Sequence, residues 1–145
     1  MIEGLSHVTF MVSDLGRMTA FLSKIFGAEE IYASGNTTFS ISGEKFFLVG
    51  GVWVAIMEGD SLSEKTYNHI AFKIPEDYFD AYAERVRLLG VEVRESRNRV
   101  DGEGRSLYFY DYDNHLFELH TGTLEQRLGR YREGVNSNRG MQATR

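Results

Sequence analysis

Apolar and polar residues alternate from Leu5 to Val12, which predicts a strand with His7, Thr9 and Met11 on one face and Val8, Phe10 and Val12 on the other. The period then changes. Leu15, Met18, Leu22, Ile25 and Phe26 fall at helical spacing, with Asp14 placed as the N-cap and Gly27 as the closing residue. Strand-like runs follow around Glu29 to Ala33, Thr38 to Val49 and Val52 to Met57, so that residues 1–59 read as a β-α-β-β-β module. Residues 60–66 are polar and read as a linker.

After the linker the pattern repeats. NHIAFKI at Asn68 to Ile74 echoes SHVTFMV at Ser6 to Val12, and a helical stripe of Phe79, Tyr82, Val86 and Leu89 ends before Gly90. Strands at Val91 to Arg94, Ser106 to Asp111 and Leu116 to His120 complete a second β-α-β-β-β module over 67–122. The two histidines lie 62 positions apart and the two helix-closing glycines 63 apart, which marks an internal repeat. Two such units can bury their apolar faces by forming a curved mixed sheet, giving an α+β fold. Equivalent strand positions would then converge, bringing His7 and His69 face to face.

The second module ends in RSLYFYDYDNHLFELHTG, Arg105 to Gly122, which reads as a β-hairpin about a Tyr112-Asp113-Asn114 loop. A three-residue loop pairs Asp111 with His115, so Tyr108 falls opposite Glu118 and Ser106 opposite His120. Asn114 tolerates the left-handed conformation such a loop needs. Beyond the hairpin, Thr123 to Gln126 has the form of a capping box opening a helix over 123–132 that carries Arg127. Residues 133–145 are polar and read as a loosely ordered tail.

Composition narrows the chemistry. There is no cysteine, so thiolate ligands, a thiol nucleophile and a disulfide scaffold are all excluded. The formal net charge of -5 argues against nucleic acid as a partner, because phosphate-backbone affinity needs a cationic surface. Arg94, Arg97, Arg99 and Arg105 nevertheless crowd one stretch, as a solvated loop or as a local site for a small anion. The start MIEGLSHVTF has neither a basic opening nor a long apolar run, and a cytoplasmic protein without a membrane anchor is expected.

A lone strand histidine is usually a core residue. Two at matching repeat positions, with the strand carboxylate of Glu118 in reach, instead suggest two imidazoles and a carboxylate around a divalent cation with open positions. Glu118 lies four residues before Gly122, and the same offset before Gly59 finds Ala55, so the first module offers no matching fourth ligand. Mn²⁺, Fe²⁺, Ni²⁺ and Zn²⁺ all suit such a set. His115, His120 and Trp53 read as strand-end or packing residues without a metal role.

SHVTF with NHIAF, the repeated module and YFYDYDNHLFELHTG resemble the vicinal oxygen chelate (glyoxalase/bleomycin-resistance) superfamily over nearly the whole chain. Within it, RVDGEGRSLYFYDYDNHLFELHTGTLEQRL is similar to the fosfomycin-resistance enzymes, which open the oxirane of a small phosphonate antibiotic. The resemblance implies metal ligation by His7, His69 and Glu118, with Mn²⁺ the expected ion. It also implies phosphonate contacts from Thr9, Ser106, Tyr108 and Arg127, and modules paired between chains of a homodimer. The thiol-transferring members carry a basic residue in the loop where Asn98 stands here; Arg97 or Arg99 beside it can substitute, and Arg99 is counted as the loop contact.

ISGEKFFLVG is similar to the hydrolase branch, in which a glutamate at the position of Glu44 acts as general base on water. The thiol-transferring branch carries a tyrosine where this chain has Phe46. The resemblance therefore implies hydrolysis of the fosfomycin epoxide to a vicinal diol. Three other readings stand beside it: a thiol transferase acting on the same epoxide, an Fe²⁺ dioxygenase, and a drug-binding protein of the same fold.

Overall fold

The computed structural model describes residues 1–37, 39–95 and 102–142. The first module consists of β1 (His7–Val12), α1 (Leu15–Phe26), β2 (Glu29–Ala33), β3 (Glu44–Val49) and β4 (Val52–Glu58). The second consists of β5 (His69–Lys73), a 3-10 turn at Glu76–Tyr78, α2 (Phe79–Leu89), β6 (Val93–Arg94), β7 (Ser106–Tyr110) and β8 (Leu116–His120). A last helix, α3, spans Leu124–Gln142.

Each module forms its own four-stranded mixed sheet, in the orders β1-β4-β3-β2 and β5-β8-β7-β6. In both, the first strand lies parallel to the fourth at the sheet edge, and the remaining pairings are antiparallel. The repeat is therefore one of register as well as sequence. Thr9 pairs with Ala55 and Ala71 with Glu118, so Ala55 occupies in the first sheet the place of Glu118 in the second. Phe46 correspondingly matches Tyr108, and Glu44 matches Ser106.

The helix ends follow local chemistry. Asp14 accepts a hydrogen bond from the Arg17 amide, and Gly27 and Gly90 close α1 and α2 in the left-handed conformation. At α3 the capping box is reciprocal: the Thr123 amide donates to Gln126 Oε1 at 2.9 Å and the Gln126 amide to Thr123 Oγ1 at 3.2 Å.

Both sheets turn one face to a single shared core. Phe47, Val54 and Ile56 from the first sheet meet Phe109, Phe117 and Leu119 from the second around Phe21, Leu22 and Ile25 of α1. Phe117 lies 5.2 Å from Phe10 and 5.4 Å from Phe21, ring centre to ring centre, so one side chain binds both modules. The opposite faces carry His7, Thr9, Phe46 and Glu44 on one sheet and His69, Tyr108, Ser106 and Glu118 on the other. They are fixed by the period-two alternation.

Three sequence expectations change. The third strand begins at Glu44 rather than Thr38, with 39–42 in bends before it. The second-module strand expected from Val91 is only Val93–Arg94. The tail expected to be loosely ordered from 133 is helical as far as Gln142: the stretch contains no proline, and the Ser137 hydroxyl is taken up by the Glu133 carbonyl, while residues 133–141 are exposed. Among the described residues no helix is long and apolar enough to cross a membrane.

A candidate metal and anion site in two halves

The hairpin has the three-residue form. The Asp111 amide donates to the His115 carbonyl at 3.0 Å, and Asn114 takes φ 69°, a left-handed value that asparagine accepts. Tyr108 consequently pairs with Glu118 and Ser106 with His120. Asp111 Oδ1 accepts from the amides of Asp113 and His115, and its Oδ2 meets His115 Nδ1 at 2.7 Å, which stiffens the loop. The loop also grips the first module. Asp113 accepts from the Ser13 amide and from Ser61, and Asn114 donates to the Leu62 carbonyl. Burial opposes the ionisation of Asp113, but the bonds from Ser61 and Ser13 and the charge of Arg17 outweigh it and hold its carboxyl below the ordinary value.

Glu118, carried on β8, is buried, and His69 stands beside it on β5. His69 Nδ1 lies 2.6 Å from the Tyr67 carbonyl, which can only accept, so this nitrogen carries the hydrogen. In the neutral ring the Nε2 lone pair then points at Glu118 Oε2, 3.1 Å away. Two acceptors this close require positive charge between them, which a proton or a divalent cation supplies. A carbonyl on the far ring nitrogen is also the usual second partner of a metal-ligating histidine. The donor chemistry therefore fits a divalent metal.

Around this pair stand hydroxyls. Ser106 Oγ donates to Glu118 Oε1 at 2.6 Å, and Tyr67 OH bonds Tyr108 OH at 3.2 Å. Burial, the bond from Tyr67 and the charge of Glu118 push the Tyr108 phenol well above its ordinary value, so it remains a neutral donor. Arg127 is half-buried in the first turn of α3, just past β8, and its guanidinium has no partner among the described residues. Hydroxyls next to a cation site suit a phosphonate, for which a guanidinium such as that of Arg127 would add charged donors.

The other half lies on the first sheet. His7 packs its ring against Trp53 at 4.3 Å, and its Nδ1 lies 3.0 Å from Ser6 Oγ. Thr9 is exposed on the same face. Glu44 shares that face through its pairing with Met57 and is 8% exposed, and its carboxylate has no hydrogen bond or ion pair among the described residues.

The convergence of His7 on His69 expected from the repeat does not occur within one chain. Among the described residues no group of three His, Asp or Glu side chains is placed to hold a metal. Thr9 and Met11 of β1 and His69 of β5 line one cavity, but neither His7 nor Glu118 does.

Of the arginine cluster, Arg105 pairs with Glu76 and Asp80 and lies over the Phe79 ring, while Arg94 donates to Tyr110 OH and lies over Tyr67. Neither joins an anion pocket with Ser106. Arg97, Asn98 and Arg99 lie outside the described residues. Sequence reasoning missed Tyr67, which orients both His69 and Tyr108; its position two residues before an edge-strand histidine is the available signal.

Residues 4–119 match the model of the Glyoxalase/Bleomycin resistance protein/Dioxygenase superfamily. The chain is 65% identical over 133 residues, 92% of its own length and 100% of the relative's, to the fosfomycin resistance protein FosX of Listeria monocytogenes. It is 36% identical over 136 residues, 90% of the chain and 88% of the relative, to the metallothiol transferase FosB of Shouchella clausii. A solved structure of a glutamate-to-glutamine variant of the Listeria monocytogenes FosX, complexed with Mn(II) and 1S,2S-dihydroxypropylphosphonic acid, superposes with TM-score 0.83 and 64% identity. That match covers 90% of this chain and 99% of the other.

Proposed function

The chain belongs to the glyoxalase/bleomycin resistance protein/dioxygenase superfamily, and from that premise we propose that it is a Mn²⁺-dependent fosfomycin resistance enzyme that hydrolyses the epoxide to a vicinal diol. The observation that carries hydrolysis is Glu44, a buried carboxylate without a partner on the same sheet face as His7 and Thr9. The relatives support this choice, since identity is much higher to FosX than to the metallothiol transferase.

The site assembles from two chains. His7, Thr9 and Glu44 of one protomer face His69, Ser106, Tyr108 and Glu118 of its partner in a homodimer, so that His7, His69 and Glu118 form the metal triad. Two things support this arrangement. His69 and Glu118 converge without His7, and the face bearing His7 is open and includes the exposed Met11 and Leu48.

Bound Mn²⁺ supplies Lewis-acid stabilisation of the charge that develops on the oxirane oxygen. The residues do the rest. Tyr108 and Ser106 offer neutral donors, and Arg127, Thr9 and Arg99 complete the phosphonate contacts. Glu44 takes a proton from water as the water oxygen bonds to a ring carbon and the carbon–oxygen bond of the ring breaks. The opened oxygen then takes up a proton, so the sum is one water added per epoxide.

Phosphorus NMR of purified protein with fosfomycin, with and without Mn²⁺ and thiol, tests the reading. Diol formed with Mn²⁺ alone is expected. Turnover that depends on thiol would move the enzyme to the transferase class.

A further inference from the structure

The hydroxyl of Ser106 sits between two groups. Its oxygen lies 2.6 Å from Glu118 Oε1 and 2.7 Å from His120 Nδ1, while His120 Nδ1 is 3.7 Å from Glu118 Oε1. A serine hydroxyl has one hydrogen, and a carboxylate can only accept, so that hydrogen belongs to the bond with Glu118. Ser106 must therefore accept from His120, whose Nδ1 carries a hydrogen. The result is a directed chain, His120 Nδ1–H to Ser106 Oγ–H to Glu118 Oε1.

The fold fixes this chain at both ends. Ser106 and His120 are register partners across β7 and β8, and the His120 carbonyl accepts from the Ile74 amide. The ring is confined by backbone: a Cβ on Gly122 would lie 2.7 Å from His120 Nε2 and 2.4 Å from the Glu103 carbonyl oxygen. The first module has no counterpart, since Glu44 and Met57 occupy the repeat positions of Ser106 and His120.

We infer that His120 is a positioning residue for the metal site: by donating to Ser106 it directs the Ser106 hydrogen onto Glu118 Oε1 and leaves Oε2, beside His69 Nε2, as the oxygen presented to the metal. The inference rests on the proposed ligation by His69 and Glu118. It also orders the two tasks of Ser106, whose single hydrogen serves Glu118 before any phosphonate arrives. Outer partners of metal ligands typically change affinity about 10- to 100-fold when lost.

Mn²⁺ dissociation constants measured by electron paramagnetic resonance on the intact protein test it. Ser106→Ala and His120→Phe each weaken Mn²⁺ binding by about tenfold or more. The double variant binds no more weakly than Ser106→Ala, because His120 acts through the hydroxyl. His120→Asn restores most of the affinity, since its Nδ2 hangs from Cγ as the imidazole Nδ1 does. In wild-type protein with ¹⁵N-labelled histidine, His120 shows a protonated Nδ1 whose resonance shifts in Ser106→Ala, a reading independent of whether any His120 variant folds. Wild-type Mn²⁺ affinity in His120→Phe, additive losses in the double variant, or an unprotonated Nδ1 would each overturn the inference. Undiminished Mn²⁺ binding by Glu118→Ala would instead overturn the ligand assignment beneath it.

Discussion

His69 Nε2 and Glu118 Oε2 face each other across 3.1 Å with the far nitrogen of the histidine already committed to the Tyr67 carbonyl. Such a pair suits a cation. His69→Ala or Glu118→Ala should lower Mn²⁺ affinity by more than the about 10- to 100-fold expected for an outer partner. Chelation should abolish fosfomycin hydrolysis, and added Mn²⁺ should restore it. Metal titration followed by a phosphorus NMR assay gives both results.

Glu44 should behave as a base and not as a ligand. Glu44→Ala should cut kcat about 10²- to 10⁴-fold, the usual cost of a positioned general base, while Mn²⁺ affinity stays within a factor of a few of wild type. Undiminished turnover would remove Glu44 from the mechanism.

If each site draws on two chains, complementary defects should rescue one another. His7→Ala and Glu118→Ala homodimers should both be inactive. Mixed and re-formed dimers should regain activity, because a heterodimer holds one site with both defects and one with none. Failure to regain any activity, with heterodimers verified by mass, would place all three ligands in one chain.

Asp113 ties the hairpin loop to Ser13 and Ser61, and its loss should cost about 1–3 kcal/mol, as for a buried hydrogen-bonded group. Its folded carboxyl titrates below the unfolded value of about 3.9, so its contribution is full above that pH and disappears as the pH falls through the folded value. Denaturant melts of Asp113→Ala should therefore show a shallower loss of stability below about pH 4 than the wild type.

Phe117 lies fully buried between the modules. Phe117→Ala should cost about 3–5 kcal/mol. Because the core is shared, unfolding should remain one transition whether followed by far-UV signal or by Trp53 fluorescence.

Much of this molecule was legible in the chain. Period-two alternation assigned Glu118 and Tyr108 to one face, the loop chemistry of Asn114 fixed their register, and the two SHVTF-like segments announced equivalent edge strands. Alternation says which face a side chain takes, but not what that face meets. For that reason His7 could be placed opposite His69 by symmetry, although among the described residues the two do not join Glu118 in a metal-holding group. The role of His120 was hidden for a related reason: a strand-end histidine looks ordinary until the hydroxyl between it and Glu118 has been placed. The extension of α3 past 132 was not legible because its polar residues carry no burial stripe.

The register repeat sets how many reaction centres an assembly can own. Ala55 stands where Glu118 stands and Phe46 where Tyr108 stands, so one half of the duplicated unit lacks the carboxylate and phenol of the other. That half carries Glu44, the proposed base, at the position where its twin has a serine. If the proposed sites form between two such chains, a pair holds two working centres and not four, each made from unlike halves, so that a change in one half is felt only through the other.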